Sequence, residues 1–195
     1  NAAQNNDTSA ISVATFTAAG VSGVDAPNLN SINSALNSVP VVASSVDSLD
    51  KVQQLVDSYQ RVLTLSDGID NQGVNPTYTQ YQSLGITGID NLIAADLLGE
   101  VLDTQLLADV DTVPELQLFA TAVEAVFNSA KGIGTVTQGQ LEMLGVTGIN
   151  PAFMPAIVNS LAASLDDGSD IDTLNKLQTL INNTTTATAQ AITDI

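Results

Sequence analysis

Apolar residues recur along this chain three or four positions apart, the period of an amphipathic α-helix, and the same arrangement occurs three times. Each copy has a short apolar stretch that stops at a glycine, a second stretch about twelve residues further on, and a third, longer stretch. The apolar positions four residues before that glycine are Phe16, Tyr81 and Leu141. The pattern predicts three helices in every copy and therefore an all-α fold.

A six-residue motif joins the first and second predicted helices of each copy. It reads glycine, β-branched residue, Ser or Thr, glycine, β-branched residue, then Asp or Asn, and its glycines are Gly20, Gly23, Gly85, Gly88, Gly145 and Gly148. A glycine directly after an apolar helix is typical of a left-handed C-terminal cap, and the second glycine permits a tight turn. The copies lie 65 and 60 residues apart, about the length of a minimal three-helix bundle.

Capping residues mark the expected helix starts. For the second helix the candidates are the N-caps Asp25, Asp90 and Asn150, with the prolines Pro27 and Pro151 just inside. The third helix is preceded in every copy by an apolar residue, an Asp, a Ser or Thr, and another apolar residue. In the middle copy Thr112 and Glu115 have the spacing of a capping box, so a helix is expected to begin there.

These signals divide the chain into a flexible polar tail at residues 1–9 and three units, which are unit one (10–70), unit two (71–132) and unit three (133–195). The predicted architecture is a tandem array of three three-helix-bundle repeats of about 60–65 residues. A unit of this size buries little surface alone, so packing between neighbours is expected to contribute. Residues 182–186 are rich in Asn and Thr and predict a frayed helix end or the start of a linker.

Composition and charge narrow the class of protein. With 44% hydrophobic residues and a mean hydropathy of +0.21, the 195-residue chain is too apolar to be disordered. Its apolar runs are far shorter than the ~20 residues of a membrane helix, so no membrane insertion is expected. A net charge of −17 excludes nucleic acid as a natural partner. The acidity and the absence of cysteine favour an extracellular, bacterial cell-surface location.

The chain offers little catalytic chemistry. It has no His and no Cys, so the usual general bases and nucleophiles are missing, and neither an enzyme nor a cofactor is expected. Calcium is the one metal that its carboxylates could bind, and the weak candidates are Asp166, Asp167, Asp170 and Asp172, with Asp67, Asp70 and Asn71 as a second cluster. Neither cluster has an EF-hand spacing, so helix caps and a solvated turn are the favoured interpretation.

Two apolar pairs are candidate surface handles for a protein or carbohydrate. They are Tyr78 with Tyr81, and Phe153 with Met154. Tyr81 and Met154 align with core positions of the other units, so core packing is the favoured interpretation for both pairs.

The residues around the glycine turn resemble a known family. The sequence Leu84-Gly85-Ile86-Thr87-Gly88, the apolar second helix and the entry Asp111-Thr112-Val113 are similar to the GA-like three-helix repeats of large bacterial surface adhesins, which are distantly similar to albumin-binding GA modules. The resemblance covers most of residues 12–195 and implies a three-helix bundle in each unit. It also implies that albumin contacts would come from the second helix and its flanks, where the matching segments 25–27 and 90–92 contain no aromatic residue.

Three functions remain open at this point. The leading expectation is a non-catalytic extracellular structural or adhesion module, a tandem helical segment of a bacterial surface protein that acts in attachment, including biofilm attachment, or as a spacer. The first alternative is a self-assembling subunit of an extracellular filament or surface layer, and the second is a host-protein, albumin-like binding module. The expected partner is another protein, either a neighbouring repeat or subunit or a surface ligand. These functions differ in whether the purified chain polymerises and in what it captures from serum.

Overall fold

The structure, a computed structural model, describes residues 10–70, 73–164 and 168–194, and every regular element in these ranges is helical. The α-helices are α1 (Val13–Ala18), α2 (Leu29–Leu36), α3 (Leu49–Leu65), α4 (Tyr78–Ser83), α5 (Leu92–Asp103), α6 (Val113–Ala130), α7 (Gln138–Met143), α8 (Met154–Ala162) and α9 (Leu174–Thr193). Short 3-10 turns occur at Ala43–Ser45, Leu107–Asp109 and Pro151–Phe153. The predicted all-α class is confirmed.

The first helix of each unit, α1, α4 or α7, has only six residues and depends on its caps, because a helix this short is unstable alone. The N-caps are Ser12, Thr77 and Thr137, whose side chains accept the N–H of the residue three positions on. In α4 and α7 a glutamine at that third position also accepts the N-cap N–H, at 2.9 Å in both helices. Each of these helices then ends at the predicted glycine turn.

The predicted start of the second helix is displaced in every unit. The N-cap of α5 is Asn91 and not Asp90, and its side chain accepts the Ala94 N–H at 2.9 Å. Asp25 instead accepts the Asn28 N–H at 3.2 Å in a local turn, so α2 begins only at Leu29. Such short-range bonds of Asp and Asn compete with helix formation.

The two prolines expected inside the second helix are displaced with these starts. Pro27 precedes α2, and Asn150 caps the 3-10 turn that contains Pro151, one turn before α8.

The third helix begins where the sequence indicates. Ser48, Thr112 and Thr173 are the N-caps of α3, α6 and α9. The Glu115 carboxylate accepts the N–H of Thr112 at 3.0 Å, as expected of a capping-box partner. It also accepts the Thr112 hydroxyl at 2.7 Å.

The expected break at residues 182–186 is wrong, since α9 continues through them to Thr193. Within α9, the hydroxyls of Thr184 and Thr188 donate to the carbonyls four residues earlier, each at 2.8 Å, so they are satisfied inside a helix. The predicted tail at residues 1–9 lies outside the described residues.

Helices of neighbouring units pack against one another. Helix α3 contacts α4 and α5 of unit two as well as α2 of its own unit, and α6 contacts α7 and α8 of unit three. Contacts between α2 and α6 and between α5 and α9 complete the same arrangement. The buried apolar side chains consequently form one connected core from Phe16 to Ile181. None of the described helices is long and apolar enough to cross a membrane.

Candidate functional site

The six motif glycines all have positive φ angles, between 73° and 88°. After the first glycine of each motif, the N–H of Val21, Ile86 or Val146 returns to the carbonyl of the residue five positions earlier, at 3.0, 3.1 and 3.0 Å. The N–H of that first glycine reaches the carbonyl three positions earlier, at 3.0 Å in each motif. This pair of bonds is the Schellman arrangement, and it stops the first helix and buries the β-branched residue that follows.

A glutamine on the long third helix holds each of these turns. The side-chain carbonyl of Gln53, Gln117 or Gln178 accepts the N–H of the Ser or Thr between the glycines, at 2.8, 3.0 and 2.9 Å. The amide nitrogen of the same glutamine donates to the carbonyl of that Ser or Thr, at 3.1, 3.1 and 3.0 Å. We call this two-bond contact the glutamine clamp, and it fixes the turn to a helix about 30 residues further along the chain.

The clamp amide has a second acceptor. Its remaining N–H donates to the residue four positions on, which is Asp57, Thr121 or Asn182, at 2.8, 3.2 and 2.9 Å. The amide orientation is set by the turn itself, because the backbone N–H of the Ser or Thr needs an acceptor and its carbonyl needs a donor. In unit one the Asp57 carboxylate, which can only accept, agrees with that orientation. None of the three glutamines was a candidate from the sequence, although they stand 33, 32 and 33 residues after the first glycine of their units.

Neighbouring side chains pass close to several glycines and leave no room for a Cβ. At Gly23 and Gly88 the obstacle is a side chain of the third helix, Gln60 or Glu124. At Gly85 it is the Ser38 hydroxyl from unit one, which also donates to the Leu84 carbonyl at 3.3 Å. The turn of unit two is therefore part of the contact with unit one.

The long helices α6 and α9 begin against the preceding unit, and each is capped across that junction. The N–H of Val113, the first residue of α6, donates to the Ser34 hydroxyl of α2 at 2.9 Å. The N–H of Leu174, the first residue of α9, donates to the Glu100 carboxylate of α5 at 2.7 Å. At both junctions, a side chain on the second helix of one unit thus binds the start of the third helix of the unit that follows it in the chain.

Glu100 lies beside an acidic cleft at the junction of units two and three. Burial raises its pKa, the bond from the Leu174 N–H opposes that shift, and the nearby charges of Asp172, Asp70 and Asp96 add to it. The cleft has a volume of about 790 Å³. Among the described residues, no three acidic side chains are arranged to hold a metal ion.

The calcium candidates are only partly described. Asp166, Asp167 and Asn71 lie outside the described residues, and Asp170 is exposed. Asp172 forms an ion pair with Lys176 at 2.7 Å, and Asp47 forms the same pair with Lys51 in unit one, also at 2.7 Å. Because both pairs stand at the entry to a third helix, they indicate that Asp172 has a structural role.

Three of the four candidate surface handles pack into or against the core, and the fourth, Phe153, is partly exposed. Tyr81 is fully buried, and Tyr78 and Met154 are partly buried against the core cluster. Within the described chain the Tyr81 hydroxyl has no hydrogen-bond partner, and burial raises its pKa. In contrast, the buried Tyr59 donates its hydroxyl to the Val110 carbonyl of unit two at 3.2 Å. Core packing of Tyr81 is as predicted, whereas the role of Tyr59 at the junction of units one and two is visible only in the structure.

Fold and site together define an all-helical protein in which glycine turns, each held by a glutamine clamp, recur three times along the chain. Compared with protein-family models, curated proteins and solved structures, the chain has no significant match.

Proposed function

We propose that the chain is a tandem array of three three-helix units that acts as a non-catalytic extracellular spacer or attachment segment of a bacterial surface protein. The observation that carries this proposal is the repeated junction, in which Ser34 and Glu100 each bind the start of the following unit's third helix. Both contacts run head to tail, from the second helix of one unit to the third helix of the next, as they would in a tandem array of units.

The shared core supports a stiff array. Helices α3 and α6 each pack against the next two helices, so a unit cannot rotate relative to its neighbour without exposing buried residues such as Tyr59 and Val126. The glutamine clamps make each unit itself more rigid, because they tie the end of its first helix to its third helix. A stiff connector suits a segment that holds a binding domain away from a cell surface.

The surface chemistry agrees with an extracellular position. A net charge of −17 repels both other copies of the chain and anionic cell surfaces, and the absence of cysteine makes the fold independent of the redox state of its surroundings.

The experiment combines light scattering with a serum pull-down on the purified chain. Multi-angle light scattering over a wide concentration range, with and without Ca²⁺, is expected to give the 20.1 kDa monomer throughout. Growth into polymers would replace the spacer with the filament or surface-layer subunit. Immobilised chain is expected to capture no serum protein, and specific capture of albumin would replace the spacer with the host-protein binding module.

A further inference from the structure

The two ends of the array differ in the surfaces that they present. In units one and two the second half of the third helix is apolar and buried, with Tyr59, Val62 and Leu65 in α3 and Val123, Val126 and Phe127 in α6. The corresponding part of α9 carries Thr184, Ala187, Thr188 and Gln190, and all of them are exposed or only partly buried. The face of unit three that corresponds to the apolar junction face of units one and two is therefore polar.

Unit one presents the opposite surface. An apolar groove of about 350 Å³ lies between α1 and the start of α3 and is lined by Ile11, Phe16, Val21, Val46, Leu49 and Val52. In unit two the residue equivalent to Leu49 is Val113, which is only 6% exposed because unit one covers it, whereas Leu49 is 49% exposed. Within the described part of the chain no acceptor meets the Leu49 N–H, although the N–H of Val113 and of Leu174 each have one across a junction.

We propose that this groove is the docking surface for a further unit of the same kind, whose second and third helices would cover it as those of unit one cover unit two. The groove continues the series of the two junctions inside the chain, and this inference rests on the tandem array of the proposed function. The occupant must supply a hydroxyl or carboxylate for the Leu49 N–H and an apolar third-helix face. Units one and two have both features. Unit three lacks the apolar face, so a second copy of this chain cannot dock through its α9 end.

The test uses the whole chain with one unit added. Residues 10–74 are duplicated in tandem directly before residue 10, so that the natural sequence of the first junction leads into the original unit one. Leu49→Cys in the original unit one introduces a single thiol, since the chain has no cysteine. Labelling of that thiol is compared between the normal and the extended chain, with Leu118→Cys, an exposed position in α6, as the matched control.

The added unit is expected to slow labelling at position 49 at least about tenfold and to leave position 118 unchanged. In the extended chain without the thiol, hydrogen exchange of the Leu49 N–H in the original unit one is also expected to be slower than in the normal chain. Exchange of the Val113 N–H is expected to be the same in both chains. Equal labelling of the two chains, with helix content by circular dichroism proportional to length, would overturn the inference. Protection of position 49 that grows with the concentration of the normal chain would also overturn it, because the occupant would then be a second copy.

Failure of the docking proposal and failure of the proposed spacer function would give different results. Serum capture or polymer growth by the normal chain would refute the proposed function, whereas unchanged labelling in a monomeric extended chain would refute only the docking surface.

Discussion

The glutamine clamp makes a sharp prediction for the substitution Gln117→Glu. In the wild-type chain the Gln117 side chain accepts the Thr87 N–H at 3.0 Å and donates to the Thr87 carbonyl at 3.1 Å. A carboxylate can still accept the N–H, but its second oxygen would face the carbonyl without a proton between them. The Thr121 hydroxyl, which now accepts from the Gln117 amide, can turn to donate to the carboxylate. The net change at neutral pH is therefore the loss of the bond to the Thr87 carbonyl and its replacement by repulsion between two oxygens.

The magnitude follows from that one lost bond. A hydrogen bond contributes about 0.5–1.5 kcal/mol net, and the clamp is exposed enough for water to reach the carbonyl, so the expected loss at pH 7 is about 1 kcal/mol. A protonated carboxyl group restores the donor, and the folded state therefore raises the pKa of the introduced glutamate. With the folded-state pKa raised, the stability gained by protonation is fully present below the ordinary glutamate range and is lost as the pH rises through about 4 to 6.

Urea unfolding followed by circular dichroism at 222 nm, at pH 7 and near pH 4, measures the effect. Low protein concentration is needed at the lower pH because the isoelectric point is about 4.1. The control is Gln54→Glu, which adds the same charge to an exposed residue of α3 and should be close to neutral at both pH values. An equal difference from wild type at pH 7 and pH 4, or the same pH dependence in the control, would refute the clamp as a two-bond contact.

Three further predictions concern the turns, the junction acid and the buried tyrosines. Gly85→Ala places an alanine at a backbone φ near +83° and should lower the free energy of unfolding by about 1–2 kcal/mol, measured with urea. Gly139→Ala, in open space inside a helix, should leave the free energy of unfolding unchanged or raise it by up to about 1 kcal/mol. Because the folded state raises the pKa of Glu100, protonation of this carboxyl stabilises the fold, and that stability is lost as the pH rises through the folded-state pKa. Lowering the pH from about 7 to about 5 should therefore stabilise the wild-type chain more than it stabilises Glu100→Gln. The midpoints of urea unfolding of the two chains at both pH values measure this difference. Tyr59→Phe should cost about 1 kcal/mol because it removes a bond across the junction, while Tyr81→Phe should be neutral or stabilising in thermal unfolding because its buried hydroxyl has no partner in the described chain.

The parts of the fold that depend on local chemistry could be predicted from the sequence. A glycine after an apolar stretch requires a left-handed turn whatever lies around it, so the positive φ angles at Gly20, Gly85 and Gly145 followed directly from the pattern. The same holds for the N-caps of the third helices. The start of the second helix could not be predicted in this way, because Asp25 can either cap a helix or stabilise a local turn. Its bond to Asn28 shows that it stabilises the turn.

The contacts between distant segments could not be predicted in the same way. A glutamine on a helix surface resembles any solvent-exposed polar residue, and the partner of Gln117 lies 30 residues earlier in the chain. Only the near-constant offset from the glycine in all three units could have revealed the clamp. The junction acceptors gave no such signal, since Ser34 and Glu100 differ in type and stand 14 and 15 residues after their glycines.

The glycine turn of unit two contributes both to the packing inside its own unit and to the packing against unit one. Its clamp fixes the end of the first helix to the third helix, and at Gly85 the missing side chain lets Ser38 of the preceding unit approach the turn. A side chain at Gly85 would thus disturb both the local φ angle and the junction, whereas Gly145 has no such neighbour and Gly148 is open. Gly85 should therefore tolerate substitution least of the three glycines. The stability losses of Gly20→Ala and Gly145→Ala measure the cost of the local φ angle, and the additional loss of Gly85→Ala measures the contribution of the turn to the junction.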